Sequence, residues 1–189
     1  IQINYVGERS YELEDMLKRK FRLKDVYVLN NNSSDYDNIL CQMGEFAARY
    51  MEKHMKNDQV IGISWGRSIA YAIEALKDNS DLSLDVVQIF GGMMVGNPLI
   101  EGSELARKMI SKYNAKGFYL NAPLYIDNKL ARETLKKQPI IENTLNKARN
   151  ADMLVSGIGD VAKDTLSYMW SGFDNHRELK SLVEQGAAG

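Results

Sequence analysis

The chain has 189 residues, with 24 Lys and Arg against 25 Asp and Glu for a formal net charge of −1. Its 44% hydrophobic and 26% charged content excludes wholesale disorder, no apolar run reaches the ~20 residues of a membrane helix, and the near-neutral balance gives no general pull toward nucleic acid. One cysteine, Cys41, excludes an internal disulfide and fits a reducing, cytoplasmic setting, while two distant histidines, His54 and His176, leave zinc patterns unmet, so no metal or cofactor is expected.

In chain order, short strand-like runs alternate with longer helix-like ones. Residues from Glu8 to Phe21 predict a helix with Leu13, Met16, Leu17 and Phe21 at helical spacing. Val26 to Leu29 reads as a strand closed by the polar loop Asn30 to Ser34. Asp35 to Lys56 predicts a long helix that buries Ile39, Met43, Phe46, Ala47 and Tyr50, with Cys41 as inert packing. Val60 to Ser64 is a strand, and Ser68 to Leu76 a helix with Ile69, Ile73 and Leu76 on one face. Leu84 to Phe90 is a strand ending in Gly91-Gly92, Glu101 to Tyr113 a helix, and Gly117 to Leu120 a short strand. Pro139 separates helices over Leu130 to Lys137 and Ile140 to Ala148, because it lacks the N–H that a helix interior uses. Met153 to Gly159 is a last strand. This alternation predicts an α/β domain with a mainly parallel sheet and helices on both faces. The start at Ile1 and the closing run Gly186-Ala187-Ala188-Gly189 read as the ends of a piece cut from a longer protein.

In open α/β sheets ligands gather beyond the carboxyl ends of the strands. The first such end carries Ser64-Trp65-Gly66-Arg67-Ser68. Hydroxyls, exposed amides and a helix start there suit a phosphate, and Arg67 adds a bidentate donor pair. The plainer alternative has Ser68 capping the helix and Gly66 making the turn. The second end carries Phe90-Gly91-Gly92-Met93, and the third carries Gly157-Ile158-Gly159-Asp160, where Asp160 could accept from sugar hydroxyls. Asp127, after Pro123 to Ile126, could line the crevice or cap a helix. His54 and His176 read as surface or helix-start residues, and no nucleophile–base pair has recognisable spacing.

The stretch Val60-Ile61-Gly62-Ile63-Ser64-Trp65-Gly66-Arg67-Ser68-Ile69 resembles the signature of the SorC family of bacterial transcriptional regulators, in their sugar-binding effector domain. Val86 to Gly92 followed by Asn97-Pro98, then Asn121 to Asp127, then Ala151 to Asp160, are similar to the family's later blocks in the same order. Tyr11 to Leu29 matches the lead into that domain, so the resemblance runs along nearly the whole chain. It implies a fold of the ribose-5-phosphate isomerase and glucosamine-6-phosphate deaminase superfamily, Rossmann-like, occupying residues 1–189 as a single effector domain that runs on past this chain's C-terminus. It further implies an upstream helix-turn-helix domain that binds operator DNA, a sugar or sugar-phosphate ligand, and assembly as a homodimer or homotetramer without membrane contact. Carried over, the effector-binding positions are Ser64, Trp65, Gly66, Arg67, Ser68, Gln88, Gly91, Gly92, Met93, Asn97, Asp127, Gly157, Gly159 and Asp160. Trp65 and Arg67 stand where other members have a threonine-rich phosphate loop, which leaves an unphosphorylated polyol as an alternative ligand.

The rival reading is a sugar-phosphate isomerase or deaminase. Such enzymes need a carboxylate or histidine beside the substrate carbonyl. Here Gly159-Asp160 leads into Val161-Ala162-Lys163-Asp164 with no histidine before His176, so the expectation is a sensor without catalytic residues. A module that only assembles, binding no sugar, is the third possibility.

Overall fold

Four short parallel strands, β1 (Gln59–Ile63), β2 (Leu84–Gln88), β3 (Lys116–Phe118) and β4 (Met153–Val155), form one sheet in the order β3-β2-β1-β4. The computed structural model describes residues 9–30, 35–92, 97–159, 181 and 184–186. Helices α1 (Tyr11–Phe21) and α2 (Tyr36–His54) precede the sheet. Helix α3 (Arg67–Ala75) connects β1 to β2, and α4 (Gly102–Tyr113), after a 3-10 turn over Pro98–Ile100, connects β2 to β3. Helices α5 (Lys129–Lys136) and α6 (Pro139–Arg149) carry the chain from β3 back across the sheet to β4. The strand order therefore reverses between β1 and β4.

The two sheet faces follow from the pleat. Ile61, Ile63, Leu84 and Val86 project to one side, where they join Met51, Ile69, Ile73, Leu105 and Met109 of α2, α3 and α4 in the main core. Each such side chain, fully removed from water, contributes roughly 1.5–3 kcal/mol. The alternate positions face α6: Lys147 pairs with Asp85 and sits 4.9 Å from the Phe118 ring centre. Thr144 donates to Tyr119 O at 3.4 Å and to Ile140 O at 2.9 Å. Helices on both faces and a parallel sheet are what the alternation of runs predicts.

Several elements differ from the pattern read in the sequence. Residues 26–29 add no strand to the sheet; only Leu29 pairs, in an antiparallel bridge with Arg9. Helix α1 buries Glu14 rather than its apolar stripe, and Leu13, Met16 and Phe21 are exposed. Glu14 accepts from Arg9 at 2.8 and 2.6 Å and from the Val28 N–H at 2.9 Å, so a polar clamp attaches this helix.

Helix α2 presents its deep face one step away from the expected stripe, through Leu40, Gly44, Ala48 and Met51, and leaves Met43 exposed. The cause is its seam with α3. A Cβ on Gly44 would lie 2.6 Å from the Tyr71 backbone carbon, so small residues set how closely the two helices approach. Cys41 is exposed, not core packing. His54 stacks on Tyr50, with ring centres 4.1 Å apart, rather than standing in solvent. Pro139 occupies the first turn of α6, where its missing N–H costs nothing. Strand β4 stops at Val155, and Ser156 to Gly159 continue without regular pairing.

Candidate site at the strand-order reversal

The parallel register brings three strand ends level. Ile63 stands opposite Gln88 on one side and Val155 on the other. Directly beyond, the Ser64 N–H donates to Val155 O at 3.0 Å, which ties the loop after β1 to the end of β4. A Cβ on Gly157 would lie 3.1 Å from Ser68 Oγ, so the two loops touch across the reversal. Ser64 is buried, Trp65 and Ser68 are half-buried, and Gly157 and Gly159 are exposed.

Gly66 is the N-cap of α3 with φ 121° and ψ 163°, a backbone region essentially confined to glycine. Its N–H donates to Ile100 O at 3.0 Å, and a Cβ placed on it would meet nothing within 4 Å. Ser68 lies inside the helix and is not the cap expected as the plainer alternative.

Arg67 turns toward the start of α2. Its guanidinium pairs with Asp37 at 3.4 Å and lies 5.0 Å from the Tyr36 ring centre. Burial foremost, then the Asp37 charge, pushes up the pKa of the nearby Tyr71 hydroxyl. These contacts, with Gly44 against Tyr71, make α2 and α3 run in parallel with both N-termini at this edge. Asp37 and Tyr36 were not singled out from the sequence. An Asp35-Tyr36-Asp37 helix start is visible there, but a partner thirty residues away is not.

The loop after β2 is built differently. Gln88 is buried and donates to Phe90 O at 2.7 Å, bracing the turn from below. A Cβ on Gly91 would lie 2.5 Å from the carbonyl oxygens of Ala122 and Pro123. Gly92 donates to Ala122 O at 2.8 Å and accepts from Leu124 N at 2.9 Å. The segment 122–124 therefore covers this loop. Asn97 spends its side-chain oxygen on the Leu99 N–H, capping the 3-10 turn. Asp127 is exposed beside Asn128, whose side chain caps α5 through the Ala131 N–H. Met93, Asp160 and His176 lie outside the described residues.

Strand ends of an open α/β sheet, gathered at a reversal of strand order, define a ligand-binding domain of doubly wound type. A family model described as "Putative sugar-binding domain" matches residues 7–189. The chain belongs to that family, the sugar-binding domains of SorC-type transcriptional regulators. It is 23% identical over 177 residues to the deoxyribonucleoside regulator of Bacillus subtilis, covering 94% of this chain and 56% of that protein. It is 25% identical over 196 residues to the sorbitol operon regulator of Klebsiella pneumoniae, covering 100% of this chain and 60% of the relative. The crystal structure of that full-length sorbitol regulator superposes with a TM-score of 0.86 at 24% identity, over all of this chain and 62% of that one. A DeoR-family regulator from Listeria monocytogenes superposes at 0.79, with 20% identity over 94% of this chain and 69% of that one. The chain thus spans under two thirds of the length of these curated relatives, and among its described residues no helix is long and apolar enough to cross a membrane.

Proposed function

We propose that this chain is the effector-sensing domain of a transcriptional regulator of carbohydrate metabolism, and that it binds a sugar, polyol or sugar phosphate where β1 and β4 end. One observation carries the reading: the loop 64–68 and the loop 156–159 are joined at the strand-order reversal, through Ser64 N to Val155 O and Ser68 against Gly157. The family match and the regulator names of the relatives support it. Trp65 offers an apolar face to a sugar ring, while Ser64, Ser68 and the backbone supply donors and acceptors. Residues 91, 92, 97 and 127 frame the same edge from farther off, and Met93 and Asp160 complete the proposed set.

Regulation then requires a ligand with different affinity for two states of the protein. The whole protein would bind operator DNA through an upstream helix-turn-helix domain, act in the cytoplasm and assemble as a homodimer or homotetramer, with residues 1–189 as one sensing unit. Binding without turnover is the reading, because the relatives are named as regulators rather than enzymes.

A thermal-shift screen against sugars and polyols, each free and phosphorylated, tests it. A ligand at about 100 times its Kd adds ~2.7 kcal/mol, a rise in Tm of several degrees. The expected result is a rise confined to one sugar or its phosphate, lost in Trp65→Ala and kept in Leu130→Ala on the exposed face of α5. No rise with any compound would favour an assembly module, and recovery of the sugar as its isomer would favour an enzyme.

A further inference from the structure

Helix α1 is attached to the domain along one side. Glu14 is its buried residue, held by Arg9 and the Val28 N–H, and Lys18, one turn on, pairs with Asp25 at 3.5 Å. Met16 lies two positions from Glu14, about 200° round the helix, and so faces outward. Glu12 and Lys20 stand one turn to either side of Met16 on that same face. With Asp15 and Arg19, these three line a shallow depression of the surface. Met16 is 53% exposed and its neighbour Leu13 43%. Glu12 and Glu14 lie in the first turn and Lys18, Arg19 and Lys20 in the last, so the helix carries opposite charges at its two ends with an apolar centre between them. Asp15 and Arg19 pair with each other at 3.9 Å, and the Lys20 ammonium lies 5.5 Å from the Phe21 ring centre. Neither Glu12 nor Lys20 has an ion-pair partner among the described residues.

We infer that the outer face of α1 is a self-association surface: a second copy of this chain lies antiparallel on it across a two-fold axis at Met16, so that the two Met16 side chains meet and Glu12 of each copy faces Lys20 of the other. The charge pattern selects this partner and this orientation. Glu12 and Lys20 are equally far from Met16 in opposite directions, so a single two-fold rotation makes both ion pairs at once. Arg19 of one copy then borders Glu12 of the other, and Leu13 lies under the stem of the opposite Lys20. A parallel pair would set Glu12 against Glu12 and Lys20 against Lys20, which repel. The surface rests on the self-assembly proposed above and serves it whether or not a sugar binds. Three turns of helix span about 16 Å, less than a standard interface needs, so the contact is weak in the isolated chain and sensitive to salt.

A cross-link reads a weak contact directly. Met16→Cys is made in the Cys41→Ser chain, because Cys41 is itself exposed, and its rate of disulfide formation at low salt is compared with that of Leu130→Cys, a more exposed position on α5. Expected is faster cross-linking at position 16, slowed about fivefold or more when Glu12→Lys or Lys20→Glu is added. Mixing those two charge variants should restore the rate, since each copy then offers the charge the other lacks. Should charge reversal unsettle the helix, Glu12→Gln and Lys20→Gln repeat the comparison with a smaller loss, about twofold. Cross-linking at position 16 no faster than at position 130 overturns the inference, and so does a rate that neither charge reversal nor mixing changes. Sedimentation velocity on the same samples separates the two failures. Chains that assemble without the position-16 cross-link keep the assembly and remove α1 from it, whereas chains monomeric throughout overturn both. Shifts of the α1 amides on adding duplex DNA, with no cross-link, would overturn it in favour of a phosphate-facing role for Lys18, Arg19, Lys20, Arg22 and Lys24.

Discussion

The glycine turns after β1 and β2 look alike in the sequence and are opposite in construction. At Gly66 the backbone enters a region that only glycine populates readily, and the space a side chain would fill is empty. At Gly91 the same missing side chain is required by packing, since the carbonyls of Ala122 and Pro123 stand 2.5 Å from where its β-carbon would be. One glycine is there for its conformation, the other for its size. The β2–β3 half is closed by segment 122–124 and braced by Gln88, whereas the β1–β4 half is open at Gly66, where an added side chain meets nothing within 4 Å.

The largest expected effect lies in the closed half. In Gly91→Ala the new methyl would have to displace backbone, and backbone cannot swing aside as a side chain can. We expect a loss of about 3 kcal/mol and a Tm lower by roughly 6–12 °C, measured by thermal or urea unfolding. A loss below 1 kcal/mol would show that segment 122–124 gives way, and the contrast between the two halves would lapse.

In the open half, Gly66→Ala meets no neighbour and suffers only the strain of its backbone, about 2 kcal/mol. It should also disturb the start of α3, so the thermal rise produced by a bound sugar falls while the β2–β3 half keeps its hydrogen-exchange protection. Equal losses of protection in both halves would mean that the two turns belong to one cooperative unit.

Much of this was legible from the residues alone. Apolar runs such as Val60 to Ile63 and Leu84 to Val87 gave the strands and, by alternation with helices, the parallel sheet; the turns after them gave the edge where a ligand would sit. Three features were hidden for physical reasons. The deep face of α2 uses Gly44 and Ala48, which carry little hydrophobic signal, because close helix contact demands small residues. Residues 26–29 have strand-like composition, but Tyr27 is spent on the Arg9 guanidinium, 4.3 Å from its ring centre, and not on a ladder. The direction of Arg67 depends on Asp37, thirty positions earlier, and spacing within the motif carries no trace of it.

The smallest effect expected concerns how the open half holds helix α1. The closed half is secured by packing, which pH hardly touches, while α1 is secured by a carboxylate. The hydrogen bond from Arg9 foremost, then that from the Val28 N–H, holds the Glu14 carboxyl below the usual carboxylate range, against the opposing effect of burial. A carboxyl with a lowered folded pKa lends stability that is present above its unfolded pKa of about 4.3 and is lost as pH falls through the folded value. Glu14→Gln keeps the shape and removes the charge, so at pH 7 it should cost about 1–2 kcal/mol, read as faster exchange of the Val28 amide and a modestly lower Tm. The gap between wild type and variant should then shrink as pH falls below the unfolded value of about 4.3 and close only once it passes the lowered folded value, where the wild-type carboxyl is itself protonated. A gap that persists unchanged at pH 3 would assign the loss to altered packing, and the view of α1 as an electrostatically attached arm would have to be given up.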